Sequence, residues 1–383
     1  MTASRGDPAA GALPPTLVPR LVAWYRRERR PLPWRQDRDP YRVWVAEVLL
    51  QQTRVAQATP YFERFVRRFP TVGSLARSPL EPVLKAWEGA GYYARARHLH
   101  AAARLLVARH GGSLPRDVDA LERLPGIGRY IARAIASIAF GVSAVALEAN
   151  GRRVAARWLL EEGDVGSSAG QRRLESALAA ALGKGSAGEF NEAVMELGET
   201  LCLARRPRCA ACPVRSDCRA VRERTDPGSI PRRVRRKPRP HLRAALVILT
   251  GPGGRWLVQR RPPRGLLGGL WEFPGGKIRS GELPARAARR ELWEETRLRV
   301  GRLKAVGTVR HAYSHFTVEL HVFQGPLVGR APPSTRTRRW VTARGLRALP
   351  TPKATEKVVR RLAPDAAGRA SRGSGSPRGR TAA

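Results

Sequence analysis

A group of four cysteines constrains the fold of this chain more than any other feature. They are Cys202, Cys209, Cys212 and Cys218, with spacing C-x6-C-x2-C-x5-C, and the chain contains no others. Thiolates this close along a chain converge on one metal centre, and four of them satisfy an iron–sulfur cluster. A structural zinc ion and a pair of disulfides are the alternatives, but zinc sites usually show two C-x2-C pairs. The spacing therefore favours a 4Fe-4S cluster held by a loop over residues 202–218.

The charge balance indicates a polyanionic partner. The chain has 71 Lys and Arg residues against 31 Asp and Glu, a formal net charge of +40. Such an excess favours nucleic acid, with an affinity that falls steeply as salt rises. No apolar run approaches membrane-spanning length, and residues 1–20 lack the pattern of a signal peptide. We therefore expect no membrane association and a cytoplasmic, reducing location.

Hydrophobic periodicity divides the chain into a helical part and a mixed part. Helices are predicted at Val43–Leu50, Val83–Trp87, His98–Val107, Ile131–Phe140, Val154–Leu160, Phe190–Leu201 and Leu283–Glu295. Strands are predicted at Ala244–Thr250, Arg255–Gln259, Val306–Val309, Thr317–Phe323 and Arg338–Val341. The expected fold class is mixed, an all-α domain followed by an α/β domain. The predicted segments are a disordered N terminus, a helical domain, a basic linker, an α/β domain and a disordered tail, at residues 1–15, 16–222, 223–243, 244–362 and 363–383.

The segment Leu124-Pro-Gly-Ile-Gly-Arg-Tyr130 precedes a run of small and apolar residues. Gly126 and Gly128 allow a tight turn, and the following helix start offers free N–H groups to an anion. An ordinary helix–helix turn is the alternative. With the cysteine quartet downstream, the pattern resembles the helix-hairpin-helix element of the base-excision DNA glycosylases. Lyases of the endonuclease III type carry a lysine where this chain has Tyr130, so the resemblance implies a monofunctional glycosylase, because a phenol forms no Schiff base.

The segment Tyr41–Thr53 resembles the signature of the A/G-mismatch adenine DNA glycosylases, the MutY type. Glu47 lies there in an otherwise apolar helix, where burial should raise its pKa as a general acid requires. Gln51 follows four residues later and is expected to share the face of Glu47. The resemblance implies that Glu47 protonates adenine as the base leaves.

A second carboxylate is expected to stabilise the cation that develops on the sugar, by analogy with glycoside hydrolysis. Glu148, in Leu147-Glu-Ala-Asn-Gly151, stands where the family has an aspartate. Asn150 matches the family asparagine and would orient the acid or a water molecule. Tyr130 is expected close to the reacting sugar.

The same resemblance implies five further contacts with DNA. Trp34, Arg35 and Glu192 match positions near the extruded base, where Trp34 offers a stacking face and the other two offer hydrogen bonds. Gln52 and Tyr92 match residues that push into the duplex beside the opposite base. Core packing is the alternative role for Tyr92.

The second domain carries a nearly complete Nudix box, running from Gly276 to Leu298. Its acidic residues Glu291, Glu294 and Glu295 are of the type that binds Mg²⁺ for hydrolysis of a nucleoside diphosphate linkage. The one departure is Arg297, where the box has glycine. In the adenine glycosylases this domain is Nudix-like and recognises 8-oxoguanine, and Tyr313-Ser314-His315 resembles the loop used for that.

The resemblance covers residues 16 to 360 and implies a monomeric enzyme of base excision repair. Its expected substrate is double-stranded DNA with adenine opposite 8-oxoguanine or guanine. Two alternatives remain. The first is an additional or principal Nudix activity on oxidised nucleoside triphosphates. The second is a weakly catalytic lesion-binding protein, because Glu148 replaces the family aspartate.

Overall fold

The computed structural model describes residues 12–182, 186–232 and 238–362. The chain divides into two compact units, one of Met1–Ser78 with Arg95–Arg236 and the other of Pro79–Ala94 with Lys237–Ala383. Most of the predicted disordered N terminus, the whole predicted tail and the centre of the predicted linker lie outside the described residues. No helix among the described residues is both long enough and apolar enough to cross a bilayer.

The first unit is helical. In chain order the α-helices before residue 223 are α1 Leu17–Glu28, α2 Pro40–Leu50, α3 Val55–Arg68, α4 Val72–Arg77, α5 Leu80–Ala86, α6 Ala94–His110, α7 Val118–Glu122, α8 Arg129–Phe140, α9 Ala149–Leu159, α10 Ser168–Leu182, α11 Ala187–Thr200 and α12 Arg219–Arg222. Helix α5 belongs to the second unit. The six helices predicted before residue 202 are confirmed, each within a few residues of its expected bounds.

Local sequence explains where the helices that carry the candidate residues begin and end. Helix α2 starts with Pro40 in its first turn, and the Asp39 carboxylate accepts a hydrogen bond from the Arg42 backbone at 2.8 Å. Helix α8 begins after Gly128 and ends at Gly141, whose φ of 70° is the left-handed conformation that glycine adopts most easily.

The core of this unit fixes α9 and α11 against α1. Leu17 and Leu21 of α1 pack in one buried cluster with Trp158 of α9 and with Phe190 and Leu197 of α11. Helix α2 is buried on nearly every side from Val43 to Leu49. A helix that is apolar all round is a core helix, so any polar group on it is removed from water.

The second unit is built on a mixed β-sheet. Its strands are β1 His241–Thr250, β2 Trp256–Arg260, β3 Trp271–Glu272, β4 Gly275–Lys277, β5 Arg299–Val300, β6 Lys304–Ala312, β7 Thr317–Val328 and β8 Arg338–Val341, and its later helices are α13 Pro284–Thr296, α14 Ala343–Ala348 and α15 Lys353–Leu362. Strands β1 and β7 run parallel, and the other pairs are antiparallel. The predicted hairpin at residues 251–254 joins β1 to β2.

Alternation along β1 places helices on both faces of this sheet. Val247 lies in a cluster with Leu292 of α13, whereas the next residue, Ile248, lies in a cluster with Leu346 of α14 and Val358 of α15. Successive side chains of a strand point to opposite faces, so the sheet is covered on each side. The predicted α/β domain and its helix at Leu283–Glu295 are confirmed.

Arg297 ends α13 in the left-handed conformation, with a φ of 60°. Such a φ costs a non-glycine residue about 1 kcal/mol. The guanidinium groups of Arg297 and Arg299 both lie over the Trp293 ring, at 5.7 and 5.5 Å from its centre. Only the first of these two arginines has a positive φ.

We expect Arg297→Gly to raise the free energy of unfolding by about 0.5–1 kcal/mol, because glycine removes the strain of the positive φ. Arg299→Gly is the matched control, since it removes the same kind of ring contact from an extended strand. It should lower the stability by about 1 kcal/mol. Guanidinium chloride unfolding measures both, and equal effects of the two changes would refute the explanation.

Candidate active site

Glu47 lies in the buried helix α2 with only 5% of its surface exposed. The Tyr130 hydroxyl, from the first turn of α8, donates a hydrogen bond to its Oε2 at 2.7 Å. Burial raises the pKa of Glu47 to about 7, the Tyr130 hydrogen bond opposes that rise, and the charge of Glu148 adds to it. At neutral pH this carboxyl is therefore poised between its protonated and ionised forms, as a general acid requires.

Glu148 forms the start of α9, where its Oε1 accepts a hydrogen bond from the Gly151 backbone N–H at 3.0 Å. Burial raises the pKa of Glu148, whereas the backbone N–H groups of Asn150 and Gly151 lower it by binding the ionised form. Burial raises the pKa of Tyr130, and the charges of Glu47 and Glu148 raise it further, so its phenol stays neutral. The structure thus brings the two carboxyls and the phenol into one site.

Two asparagines make hydrogen bonds close to this site in the chain. Asn191 is buried and holds the segment before Glu148, because its Oδ1 accepts from the Ala146 backbone at 2.9 Å and its Nδ2 donates to the Ala144 carbonyl at 2.8 Å. Asn150 accepts a hydrogen bond from Arg153 at 2.8 Å. The expected role of Asn150 in orienting the acid or a water molecule stays a prediction.

Arg35 is buried between two carboxylates of α11. Its Nε lies 3.3 Å from Glu192 and its Nη1 lies 2.8 Å from Glu196. The ring of Tyr25 packs against the Arg35 guanidinium at 5.3 Å. Arg35 and Glu192 therefore form an ion pair with each other. Their charges also affect the pKa of Glu47, which Glu192 raises and Arg35 lowers.

Trp34, expected to offer a stacking face, is 6% exposed and packs edge-on against Phe62, with ring centres 5.3 Å apart. In this structure it is a core residue. Gln51 follows the last residue of α2, with a φ of −56° and a ψ of 110°. The expected alignment of its side chain with Glu47 stays a prediction. Its carbonyl accepts a hydrogen bond from Arg95 at 2.6 Å. Gln52 is exposed and has a φ of 61°.

The predicted hairpin adopts the tight turn that its glycines suggest. Gly126 has a φ of 77°, and a Cβ atom there would lie 2.5 Å from the Cβ of His98, so only glycine fits. Gly128 is exposed and precedes α8. The first N–H groups of α8 therefore point away from the helix and have no partner within it.

The four cysteines line one small cavity together with Arg157, Trp158 and Arg215. Arg157 is buried and donates a hydrogen bond to the Cys202 sulfur at 3.2 Å. Burial raises the pKa of the Cys212 thiol to about 12, and the charges of the other three thiols contribute to that rise. No group of three or more His, Cys, Asp or Glu side chains in the described part of the chain is arranged to hold a metal ion.

The glutamates of the Nudix box are engaged in ion pairs within the second unit. Arg290 donates to Glu291 at 2.7 Å and to Glu294 at 3.0 Å, and it also binds Glu282 at 2.8 Å. These pairs keep the pKa of Glu282 low, at about 2. Glu295 accepts a hydrogen bond from the Gly275 backbone at 2.9 Å.

The Tyr313-Ser314-His315 loop is a tight turn closed by a hydrogen bond from the Tyr313 N–H to the Phe316 carbonyl at 2.8 Å. Tyr313 packs on Phe316 with ring centres 4.8 Å apart, while Ser314 and His315 are exposed. Tyr92, which has a φ of 48°, lies edge-on to His315 at 6.4 Å within the same unit.

Sequence reasoning missed two residues that shape the site, Glu196 and Tyr25. Glu196 is 1% exposed and binds both Arg35 and Arg30. Tyr25 packs against Arg35. The signal that could have found Glu196 is its spacing of four from Glu192, which puts both carboxylates on one face of α11.

Comparison with known proteins decides the family. Residues 45–179 match the HhH-GPD superfamily of base excision DNA repair proteins, and residues 244–361 match the NUDIX domain family. The human adenine DNA glycosylase is 34% identical over 89% of this chain and 72% of its own length. The rat adenine DNA glycosylase is 35% identical over 89% of this chain and 76% of its own length. The chain belongs to the adenine DNA glycosylase family.

A solved structure agrees with this for the helical part of the adenine DNA glycosylase fold. A thermostable thymine-DNA glycosylase superposes with a TM-score of 0.50 and 26% identity, over 54% of this chain and 96% of that one. The expected fold class, a helix-hairpin-helix glycosylase domain followed by a Nudix-like domain, is therefore confirmed.

We expect Glu47→Gln to stabilise the protein more at pH 8 than at pH 4. Between about 4.5 and 7 the unfolded carboxyl ionises while the folded one stays protonated, so the wild type loses stability as pH rises through this window. Glutamine does not titrate, and the gain of the variant should therefore grow by about 2–3 kcal/mol. Urea unfolding at both pH values measures this gain.

The exposed glutamate Glu63 provides a matched control. Glu63→Gln should change the free energy of unfolding by less than about 0.5 kcal/mol at either pH. A gain from Glu47→Gln that is the same at both pH values would show that the buried carboxyl has an ordinary pKa.

Proposed function

We propose that this adenine DNA glycosylase hydrolyses the N-glycosidic bond of adenine mispaired with 8-oxoguanine or guanine in duplex DNA. One observation carries the proposal. Glu47 is a buried carboxyl with a pKa raised to about 7, it is held by the Tyr130 hydroxyl at 2.7 Å, and its titration is coupled to the charge of Glu148. A protonated acid beside an ionised carboxylate is the arrangement that such a bond cleavage needs.

The chemical step divides between the two carboxyls. Glu47 gives its proton to a ring nitrogen of adenine, and the electron pair of the C1′–N9 bond leaves with the base. Glu148, anchored to the Gly151 N–H at 3.0 Å, stays ionised and stabilises the positive charge that forms on the sugar. A water molecule then adds to C1′ and loses its proton to the carboxylate of Glu47, which restores the acid.

The residue types present support a hydrolase without lyase activity. Tyr130 occupies the position where a lysine would form a Schiff base, and its raised pKa keeps it a neutral hydrogen-bond donor. Borohydride added during the reaction should therefore trap no covalent complex with DNA.

The hairpin and the cysteine loop would grip the DNA backbone. The exposed start of α8 after Gly128 offers N–H groups to a phosphate. The four cysteines line one cavity with Arg157, and the charge of this guanidinium opposes the burial that raises the pKa of the Cys209 thiol. As four thiolates they would hold an iron–sulfur cluster. When bound, the cluster would brace this loop and take no part in the proton transfers.

The second unit would read the base opposite adenine. Ser314 and His315 present polar atoms at an exposed turn, and Tyr92 beside His315 would enter the duplex there. The alternative use of this unit as a Mg²⁺-dependent hydrolase has less support, because Arg290 already pairs with Glu291 and Glu294. We propose that the enzyme acts as a monomer in this reaction.

Single-turnover excision from a duplex with one adenine opposite 8-oxoguanine tests the function. The wild-type rate should fall as pH rises through about 7, because ionised Glu47 has no proton to give. Glu47→Gln should lower the rate by at least about 10²–10⁴-fold while DNA binding survives. Undiminished excision by the variant would exclude Glu47 as the acid.

The metal centre has a separate test. The purified chain should contain about four iron atoms and as many acid-labile sulfides, and Cys212→Ser should lose most of both. Chelation of that iron is expected to weaken DNA binding more than the chemical step. Stoichiometric zinc without iron would instead establish the zinc alternative.

A further inference from the structure

Helix α5 is fastened to the sheet of the second unit through Glu81. Its Oε2 accepts a hydrogen bond from the Trp271 indole N–H at 2.9 Å, and its Oε1 accepts one from Arg339 at 3.1 Å. Arg339 in turn lies over the Trp271 ring, 4.4 Å from its centre. Trp271 is fully buried, so without Glu81 its N–H would be a buried donor lacking this acceptor.

Three further contacts hold the same segment. The Lys85 ammonium donates to the Arg347 carbonyl at 2.6 Å and to the Leu349 carbonyl at 3.2 Å, which caps the C-terminal end of α14. Leu84 is buried and packs against Gly269, where a Cβ atom would lie 3.2 Å from the leucine side chain. The Tyr93 hydroxyl donates to the Thr351 carbonyl at 3.3 Å.

The loop after α5 contains three residues with a positive φ. Gly89 and Gly91 have φ values of 92° and 73°, and Tyr92 has a φ of 48° although it is not glycine. The Trp87 indole N–H closes the loop by donating to the Gly91 carbonyl at 3.0 Å. Strain of this kind persists where the surroundings determine the conformation, and it concentrates at ligand-binding sites.

We propose that Glu81 is a specificity-determining positioning residue. It fixes α5 to the second unit so that Tyr92 is held beside His315, and these two rings together test the base opposite adenine. The inference rests on the proposed function, in which Tyr92 and the Tyr313–His315 loop meet that base. It adds that the sheet of the second unit positions Tyr92, although Tyr92 lies far in sequence from the strands of that sheet.

This role separates the selectivity for the opposite base from the chemical step of the enzyme. The cleavage machinery around Glu47 lies in the first unit, whereas Glu81 and its partners Trp271 and Arg339 lie in the second. Release of α5 should therefore impair the choice between opposite bases and leave the chemical step intact. A merely structural role would lower the stability without changing that choice.

The test compares single-turnover excision of adenine opposite 8-oxoguanine and opposite guanine. Glu81→Ala should lower the first rate about tenfold, since small displacements of positioning groups are costly, and change the second less than about twofold. Glu81→Gln keeps an acceptor for the Trp271 N–H and should retain most of the selectivity. Glu63→Ala, on α3 of the first unit, is the matched control and should leave both rates unchanged.

A double variant separates positioning from stability. Adding Trp271→Phe to Glu81→Ala removes the donor left without its acceptor, so the thermal midpoint should recover while the selectivity stays low. If Glu81→Ala does not fold, Lys85→Met loosens the same helix and should also reduce the selectivity.

Two results would overturn the inference in distinguishable ways. A wild-type enzyme that prefers 8-oxoguanine, with Glu81→Ala and Lys85→Met showing the same preference, refutes the positioning role alone. A wild-type enzyme that excises adenine without any preference refutes the proposed reading of the opposite base, and the role of Glu81 with it.

Discussion

The burial of one carboxyl group, that of Glu47, is the constraint on which the rest of the site depends. Helix α2 is apolar on nearly every side, so the core that stabilises it also removes Glu47 from water. An ionised carboxylate in such a place is costly, and the pKa rises to about 7. The Tyr130 hydroxyl donates a hydrogen bond to the buried carboxyl, which limits the rise in its pKa and keeps its proton available for transfer.

The positive charge of Arg35 lowers the pKa of this acid, so it has to be balanced if Glu47 is to keep its proton. An unpaired guanidinium close to Glu47 would favour the ionised form and destroy the acid. Arg35 is held between Glu192 and Glu196, and Arg30 shares Glu196 with it. The paired charges leave burial as the largest influence on Glu47. The ion pairs of α11 therefore affect the pKa of Glu47 indirectly, through the charge of Arg35. They also connect α11 to the segment before α2.

Sequence predicted the elements whose signals are local and missed those that depend on distant contacts. Hydrophobic periodicity identified seven of the helices, among them α2, α8, α9 and α11, which carry the candidate residues. The run of apolar residues around Glu47 predicted its burial correctly. The alignment of Gln51 with Glu47 stays a prediction, because Gln51 is the residue that follows the last turn of α2. The core position of Trp34 depends on Phe62 of α3, and helical or strand periodicity contains no signal for such a contact. The grouping of α5 with the sheet unit depends on Trp271 and Arg339, which lie 190 and 258 residues from Glu81 in sequence.

The second unit shows how hydrolase-type residues can serve a structural purpose. In the Nudix box Arg290 joins Glu282, Glu291 and Glu294, so each of these carboxylates already has a cationic partner within the protein. The carboxylate of Glu291 also lies so close to Gly276 that a Cβ atom there would be 2.2 Å from it, which fixes the loop to α13. These contacts therefore connect β4 to α13. They stabilise the same sheet unit that carries the Tyr313–His315 turn and the Tyr92 loop.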